Sequence, residues 1–149
     1  TFKNAFTVYS GSPAPLLNGG LTSYWNFNVI NAPTLQYYNE PCQTTYIASG
    51  NVTFDLSTAQ VFVLPLTSTV TTVNIVNTPT ISNRAIGFTL IVKINTPTAT
   101  INWGSSIKWA NGTSPTLSNT TKSDIFSFIS VDNGTSWLGF IGGQNFDYT

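Results

Sequence analysis

Residues 86–94, "IGFTLIVKI", carry an apolar side chain at every second position: Ile86, Phe88, Leu90, Val92 and Ile94. An alternation of period two suits a strand with one buried face. It is out of phase with the helical repeat of about 3.6 residues. Shorter runs repeat the pattern on both sides. "NVTFDL" sets Val52, Phe54 and Leu56 on one face, and "TTVNIV" does the same with Val73 and Ile75. "VFVLPL" is a short apolar run in which Pro65 points to an edge or a bulge, because proline cannot donate to a ladder. "TATINW", "SIKWA", "SDIFSFISV" and "SWLGFIG" follow, each bounded by turn residues. Asn133-Gly134, between the last two, supplies the positive φ angles of a tight hairpin. Only "LSTAQ", Leu56–Gln60, leaves room for a helical turn. About eight strands and no regular helix predict an all-β fold, an antiparallel β-sandwich of jelly-roll type, over residues 46–149.

The first 45 residues read differently. "SGSPAPLLNGG" is turn-rich, and "LTSYWNFNVINAPTLQYYNEP" is aromatic, extended and broken by Pro33 and Pro41. This predicts an extended N-terminal arm over residues 1–45, laid across its own domain or a neighbouring subunit. Its aromatic residues Phe2, Phe6, Tyr9, Tyr24, Trp25 and Phe27 are the candidate assembly contacts, because exposed aromatic area on that scale usually marks an interface.

Charged residues make up 7% of the 149, against about a quarter in an ordinary soluble domain, and the net charge is zero. Neutral hydroxyls and amides do the solvating, and little charge opposes self-association. The five basic residues Lys3, Arg84, Lys93, Lys108 and Lys122 are scattered, so nucleic acid is not an expected partner. No apolar run is long enough to cross a bilayer as a helix, and the N-terminus lacks the apolar core of a signal peptide. Met is absent, which fits either removal of an initiator ahead of Thr1 or a trimmed fragment. Cys42 is alone, so no intrachain disulfide forms, and it reads as a partly buried, inert thiol ahead of an intermolecular bridge.

The catalytic inventory is thin. Without histidine the commonest general base and metal ligand is missing, and a Ser-His-Asp or Cys-His arrangement is impossible. The carboxylates Glu40, Asp55, Asp124, Asp132 and Asp147 form no local motif. A pair of carboxylates would suffice for a glycosidase. Each nevertheless has a simpler role: Asp132 in the Asp-Asn-Gly turn, Asp124 at a strand end, Asp55 as acceptor for the "STAQ" backbone. No enzymatic activity, cofactor or metal site is expected. "VDNGTSW" has too few acidic ligands for a cation loop. The Asn-x-Ser/Thr sequons at Asn51, Asn111, Asn119 and Asn133 have meaning only on a eukaryotic secretory route.

From Gly50 onward the motif order resembles a β-domain of tail-fibre-like and other virion structural proteins of tailed phages, especially cyanophages. The resemblance rests on "GNVTFDLSTAQVFVLPLTSTVTTVNI", "RAIGFTLIVKI" and "ATINWGSSIKWANGTSPTLSNTTKSDIFSFISVDNGTSWLGFIGGQNF". The family pattern has a long apolar strand and then a T-W-P-x-S-V-K-W-P-G-G-T-x-P-T-L segment. An Asp before an aromatic strand, a D-G-G-T-T-W-Y-G hairpin and a terminal Asn-Phe complete it. Gly104 and Ala110 stand where that pattern has prolines, and Leu138 where it has a tyrosine. The resemblance covers about two-thirds of the chain and implies a non-enzymatic, generally trimeric protein at the virion surface. It implies other capsid or tail proteins as partners. With the arm as anchor, a capsid-decorating or accessory protein is expected. The alternative is a fibre tip that recognises host surface glycan.

"INWGSSIKWANGTSP" poses one further question, because tryptophans six apart suit either a sugar platform or a core. Ala99, Ile101 and Trp103 share a parity, as do Ile107 and Trp109, so both indoles are placed in the core or an interface. The expected core is therefore Phe88, Leu90, Val92, Trp103, Trp109 and Phe126. Trp137, with Asp132 and Asn133 at the hairpin tip, is the candidate partner contact.

Overall fold

The computed structural model describes residues 40–80 and 83–148. Eight strands run in the order β1 Cys42–Thr44, β2 Asn51–Asp55, β3 Val61–Leu66, β4 Thr72–Val76, β5 Ile86–Ile94, β6 Ile107–Trp109, β7 Ser123–Ser130 and β8 Trp137–Phe146. Among the described residues the one helical element is a 3-10 turn, Ala110–Gly112. Six strands form a sheet in the order β1-β3-β5-β7-β8-β6, and β2 pairs with β4 in a second, small sheet. The protein is all-β, as the alternation predicts. The candidate arm contacts Phe2, Phe6, Tyr9, Tyr24, Trp25 and Phe27 lie outside the described residues. β1 joins the large sheet within the last residues assigned to the arm, so the sheet begins before Tyr46.

The strand directions correct the antiparallel expectation. β1 with β3, β3 with β5, β2 with β4, and β6 with β8 are parallel, and only β5-β7 and β7-β8 are antiparallel. The chain alternates between the two sheets from β1 to β5, so each strand reaches its parallel neighbour by way of a strand in the other layer. Parallel pairing needs a crossover of about a dozen residues or more, usually a helix. Here a strand plays that part. A parallel bridge of Val70 to Ile101 lengthens the small sheet, with Val70 N donating to Thr100 O (2.8 Å) and Asn102 N to Val70 O (2.9 Å). Thus "TATINW" supplies a bridge and not a full strand. Alternation reports which face is buried and is blind to strand direction, which is why sequence alone chose the commoner antiparallel form.

The burial follows the parity. On β5, Phe88, Leu90, Val92 and Ile94 are buried; on β3, Phe62, Leu64 and Leu66; on β7, Phe126 and Phe128. Val52 and Phe54 of β2 meet them from the other sheet, with Val73 and Ile75 of β4 packed alongside. Pro65 pairs with Lys93 of β5, while the β1 pairing ends at Val63. Its other side is therefore an open edge, which is where a residue without an N–H is tolerated.

Asn133 and Gly134 have φ of 57° and 83°, as the hairpin signal requires. They sit, however, in a loop spanning residues 131–136 and not in a two-residue turn. Gly139 has a different reason to be glycine. It pairs with Trp109 across β6 and β8, and a Cβ there would lie 2.7–2.9 Å from the Trp109 six-membered ring. The indole can approach that backbone so closely because no side chain is present.

Two substitutions test the inward face. Leu90→Ala removes a fully buried side chain and is expected to lower unfolding free energy by about 2–5 kcal/mol in denaturant titration. Gly139→Ala is expected to lower it by about 1–3 kcal/mol through overpacking and to alter the near-UV tryptophan signal. A near-UV spectrum identical to that of the parent would show that Trp109 does not lie there.

Candidate functional site

The chain segment with the most chemistry is the one between β5 and β7. It leaves β5, joins the small sheet at Ile101, places Trp103, turns at Gly104 (φ 73°) and re-enters the large sheet as β6. It then passes through Asn111 and Gly112, with φ of 56° and 69°, into a loop that ends at Ser123. Trp103 is 5% exposed, and its ring meets Trp109, Phe126 and Phe128 at centroid distances of 5.2, 5.2 and 5.8 Å. Trp109 is half-buried and packs edge-on against Phe126 and Phe128. The indoles are therefore no open platform: they pack edge-on against each other and edge-on or tilted against β7.

What remains open is a pair of depressions beside them. One, of about 440 Å³, lies among Asn102, Trp103, Gly104, Ser105, Lys108, Trp109 and Ser114. The other, of about 430 Å³, lies among Ala99, Ile101, Trp103, Ser114, Thr116 and Asn119. Trp103 and Ser114 belong to both, so the two meet there. Both volumes fall in the range of small-ligand sites, about 300–1,000 Å³. No carboxylate lines either one, and Lys108 is the one charged lining residue. Its Nζ donates to Ser105 O at 2.6 Å. The Trp109 indole Nε1 is buried and has no acceptor among the described residues. Such an unsatisfied donor is uncommon in a folded protein and calls for a physical reason.

The carboxylates are engaged elsewhere. Asp124 is fully buried and accepts four hydrogen bonds. They come from Ser118 N (2.7 Å), Ser118 Oγ (2.6 Å), Asn145 N (2.9 Å) and Gln144 Nε2 (3.1 Å). Asp124 ties the loop before β7 to the end of β8. The sequence reading of a strand end missed this hub, because its donors lie 6, 20 and 21 residues away. Asp55 accepts from Ser57 Oγ (2.6 Å), Asn77 Nδ2 (2.9 Å) and Ser57 N (3.0 Å), the local role expected of it. These bonds, first that from the Ser57 hydroxyl and then that from Asn77, hold its carboxyl below the ordinary aspartate value. Asp132 accepts from Ser136 N (2.9 Å) and Ser130 Oγ (2.8 Å), and these bonds lower it likewise. Among the described residues no three of His, Cys, Asp and Glu come together as metal ligands. Cys42 is exposed on β1, and not partly buried as the sequence suggests, because all three residues of that short strand are exposed.

The partner contact expected at the β7-β8 loop is only partly available. Asp132 and Asn133 are exposed, but Trp137 is 1% exposed and belongs to the core. It shares the inward parity of Gly139, pairs with Ile107 and sits edge-on to Phe88 at 5.2 Å. Proximity to a loop tip in sequence misled; one residue past the loop, the strand has already turned that side chain inward. Phe88, Leu90, Val92, Trp103 and Phe126 are buried.

Asp124→Ala leaves the Ser118 and Asn145 amide donors without their carboxylate. A loss of about 1–3 kcal/mol is expected, with faster amide exchange at both residues. Asp55 and Asp132 titrate lower folded than unfolded. The stability they contribute is therefore present above the unfolded value near 3.8 and is lost as pH falls through their folded values. Thermal midpoints should fall below that pH, and Asp55→Asn with Asp132→Asn should flatten the fall. Comparison with protein-family models, curated proteins and solved structures gives no match for the chain.

Proposed function

We propose that the chain is a non-enzymatic structural protein of a bacteriophage virion, a trimeric capsid-decorating or accessory surface protein anchored through residues 1–45. The observation that carries this reading is the surface of β8. Leu138, Phe140, Ile141 and Phe146 are 46%, 53%, 53% and 43% exposed along one strand. That strand carries no charged residue. On the outward parity of the same sheet, Ile129 pairs with Leu138 and Ser127 with Phe140, and Ile91 pairs with Ile125. Leu138 and Phe140 share the outward face, while Ile141 pairs with the buried Phe126 and lies on the other; exposed apolar surface of this kind usually marks a protein interface. The zero net charge of the chain adds no long-range repulsion between copies. Three of the five carboxylates are committed to bonds that fix loops, which supports a structural role over an acid-base one.

A second reading, a fibre tip or adhesin that recognises host surface glycan, is favoured by the groove beside Trp103. In either case the protein lies on the particle surface. An antibody against the chain is expected to label intact phage particles, and the purified chain to sediment with the mass of three copies. Phe140→Glu is expected to dissociate the trimer without unfolding it, since the side chain is already half exposed. Deleting residues 1–36 leaves Pro41, whose carbonyl accepts from Gln60 and Val61, and β1 in place. That deletion is expected to release the protein from particles. A chain that sediments as a monomer at high concentration, or unlabelled particles, would count against the proposal.

A further inference from the structure

We infer that the two depressions meeting at Trp103 form one groove that takes an uncharged saccharide chain; this rests on the glycan-recognising reading above and assigns it a site. The groove has two walls. Asn102 and Ser105 stand on the side that leads into β6, and Ser114, Thr116 and Asn119 on the loop that follows it. These are short amides and hydroxyls, and each can both donate and accept. A ligand dense in hydroxyls matches that rim better than a peptide or a phosphate does. A phosphate site would need cations, and Lys108 is alone and already bonded to Ser105 O. An apolar ligand would leave the rim groups without partners. Trp109, half-buried, and Trp103, 5% exposed, line the groove and give it an apolar side against which the C–H groups of a sugar can pack without stacking on an open ring face.

The Trp109 N–H supplies the independent sign. It is a buried donor without an acceptor on a residue that lines the groove. A ligand hydroxyl oxygen that reached it would complete its hydrogen bond. The length of the groove, two depressions in series and not one closed cavity, fits a run of sugar units and not a single monosaccharide.

The test is calorimetric titration of the full chain with neutral and acidic oligosaccharides at low and high salt. Saturable binding of a neutral oligosaccharide is expected, unchanged by salt and accompanied by a shift in tryptophan emission. Trp109→Phe keeps an aromatic ring and removes the donor, and is expected to weaken binding about tenfold. Ser114→Tyr changes an exposed residue shared by both depressions and should abolish binding while leaving the melting curve as it was. Unaltered affinity in both variants would overturn the site. So would an absence of binding to any neutral glycan, or binding to acidic glycans alone that salt removes. The same oligosaccharide is then offered as a competitor of particle adsorption. Binding to the chain without inhibition of adsorption upholds the groove and sinks the receptor reading, so the two fail separately.

Discussion

A continuous run of aromatic rings joins the layers of this protein, and every other feature is placed relative to it. Phe54 of the small sheet meets Phe62 and Phe88 of the large one at centroid distances of 5.2 and 5.8 Å. Phe88 stacks on Phe128 at 4.7 Å, and Phe128 meets Trp103 and Trp109 at 5.8 and 5.7 Å. Most of these pairs are tilted or edge-on, the arrangement that the ring quadrupole prefers. The run starts between the sheets and ends under the loop that follows β6. It therefore holds the two sheets together and reaches the tryptophans that line the groove. The Trp103-Trp109 spacing in the sequence looks like a surface motif because its partners, Phe126 and Phe128, are remote in the chain.

The second constraint is the winding. Alternating between two sheets makes β1, β3 and β5 parallel and leaves β5 with a free side, which the antiparallel β7 occupies, with β8 paired beyond it. The connections of residues 56–60 and 67–71 are short, since each need only pass from one sheet to the other. Asp55 and its bonds to Ser57 and Asn77 hold the first of these crossings, so a carboxylate fixes the corner where the chain changes layers.

What could be read from the sequence follows from what alternation encodes. Phe88, Leu90 and Val92 declare their face because the run is long and uninterrupted, and Phe126 follows by the same rule on β7. Strand direction is not encoded in a period of two, so the parallel pairs could not be read. β1 was hidden because Cys-Gln-Thr has no apolar alternation, and all three residues are exposed. Trp137 was placed wrongly for the opposite reason: a strong local signal, the Asn-Gly turn, drew it to the loop although its parity puts it inside. The Asp124 hub left no trace, because Ser118, Gln144 and Asn145 are ordinary residues of a Ser- and Asn-rich chain until folding brings them together. The groove was half legible. The tryptophans marked the place, but its walls depend on positive φ at Gly104, Asn111 and Gly112 and on the fold of two loops.

A chain with so few charges must order its loops by other means, and the way it does so bears on recognition. One wall of the groove is held by Asn102, whose Nδ2 donates to Thr71 O (3.1 Å) while its Oδ1 accepts from Gly104 N (3.2 Å). The other is held at Ser118 by Asp124 and at Thr116 by Gln144, which donates to Thr116 O at 2.7 Å. The first wall is thus tied by a side-chain bond to the residue preceding β4, and the second to β7 and β8. Loop ordering is among the larger penalties of binding, and a cleft ordered in advance avoids most of it. The bonds that hold the walls leave Ser114, Thr116 Oγ1 and Asn119 without an intramolecular role of comparable strength. The same arrangement that replaces charge as the source of rigidity therefore leaves a rim of free hydroxyls and amides beside the tryptophans that line the groove.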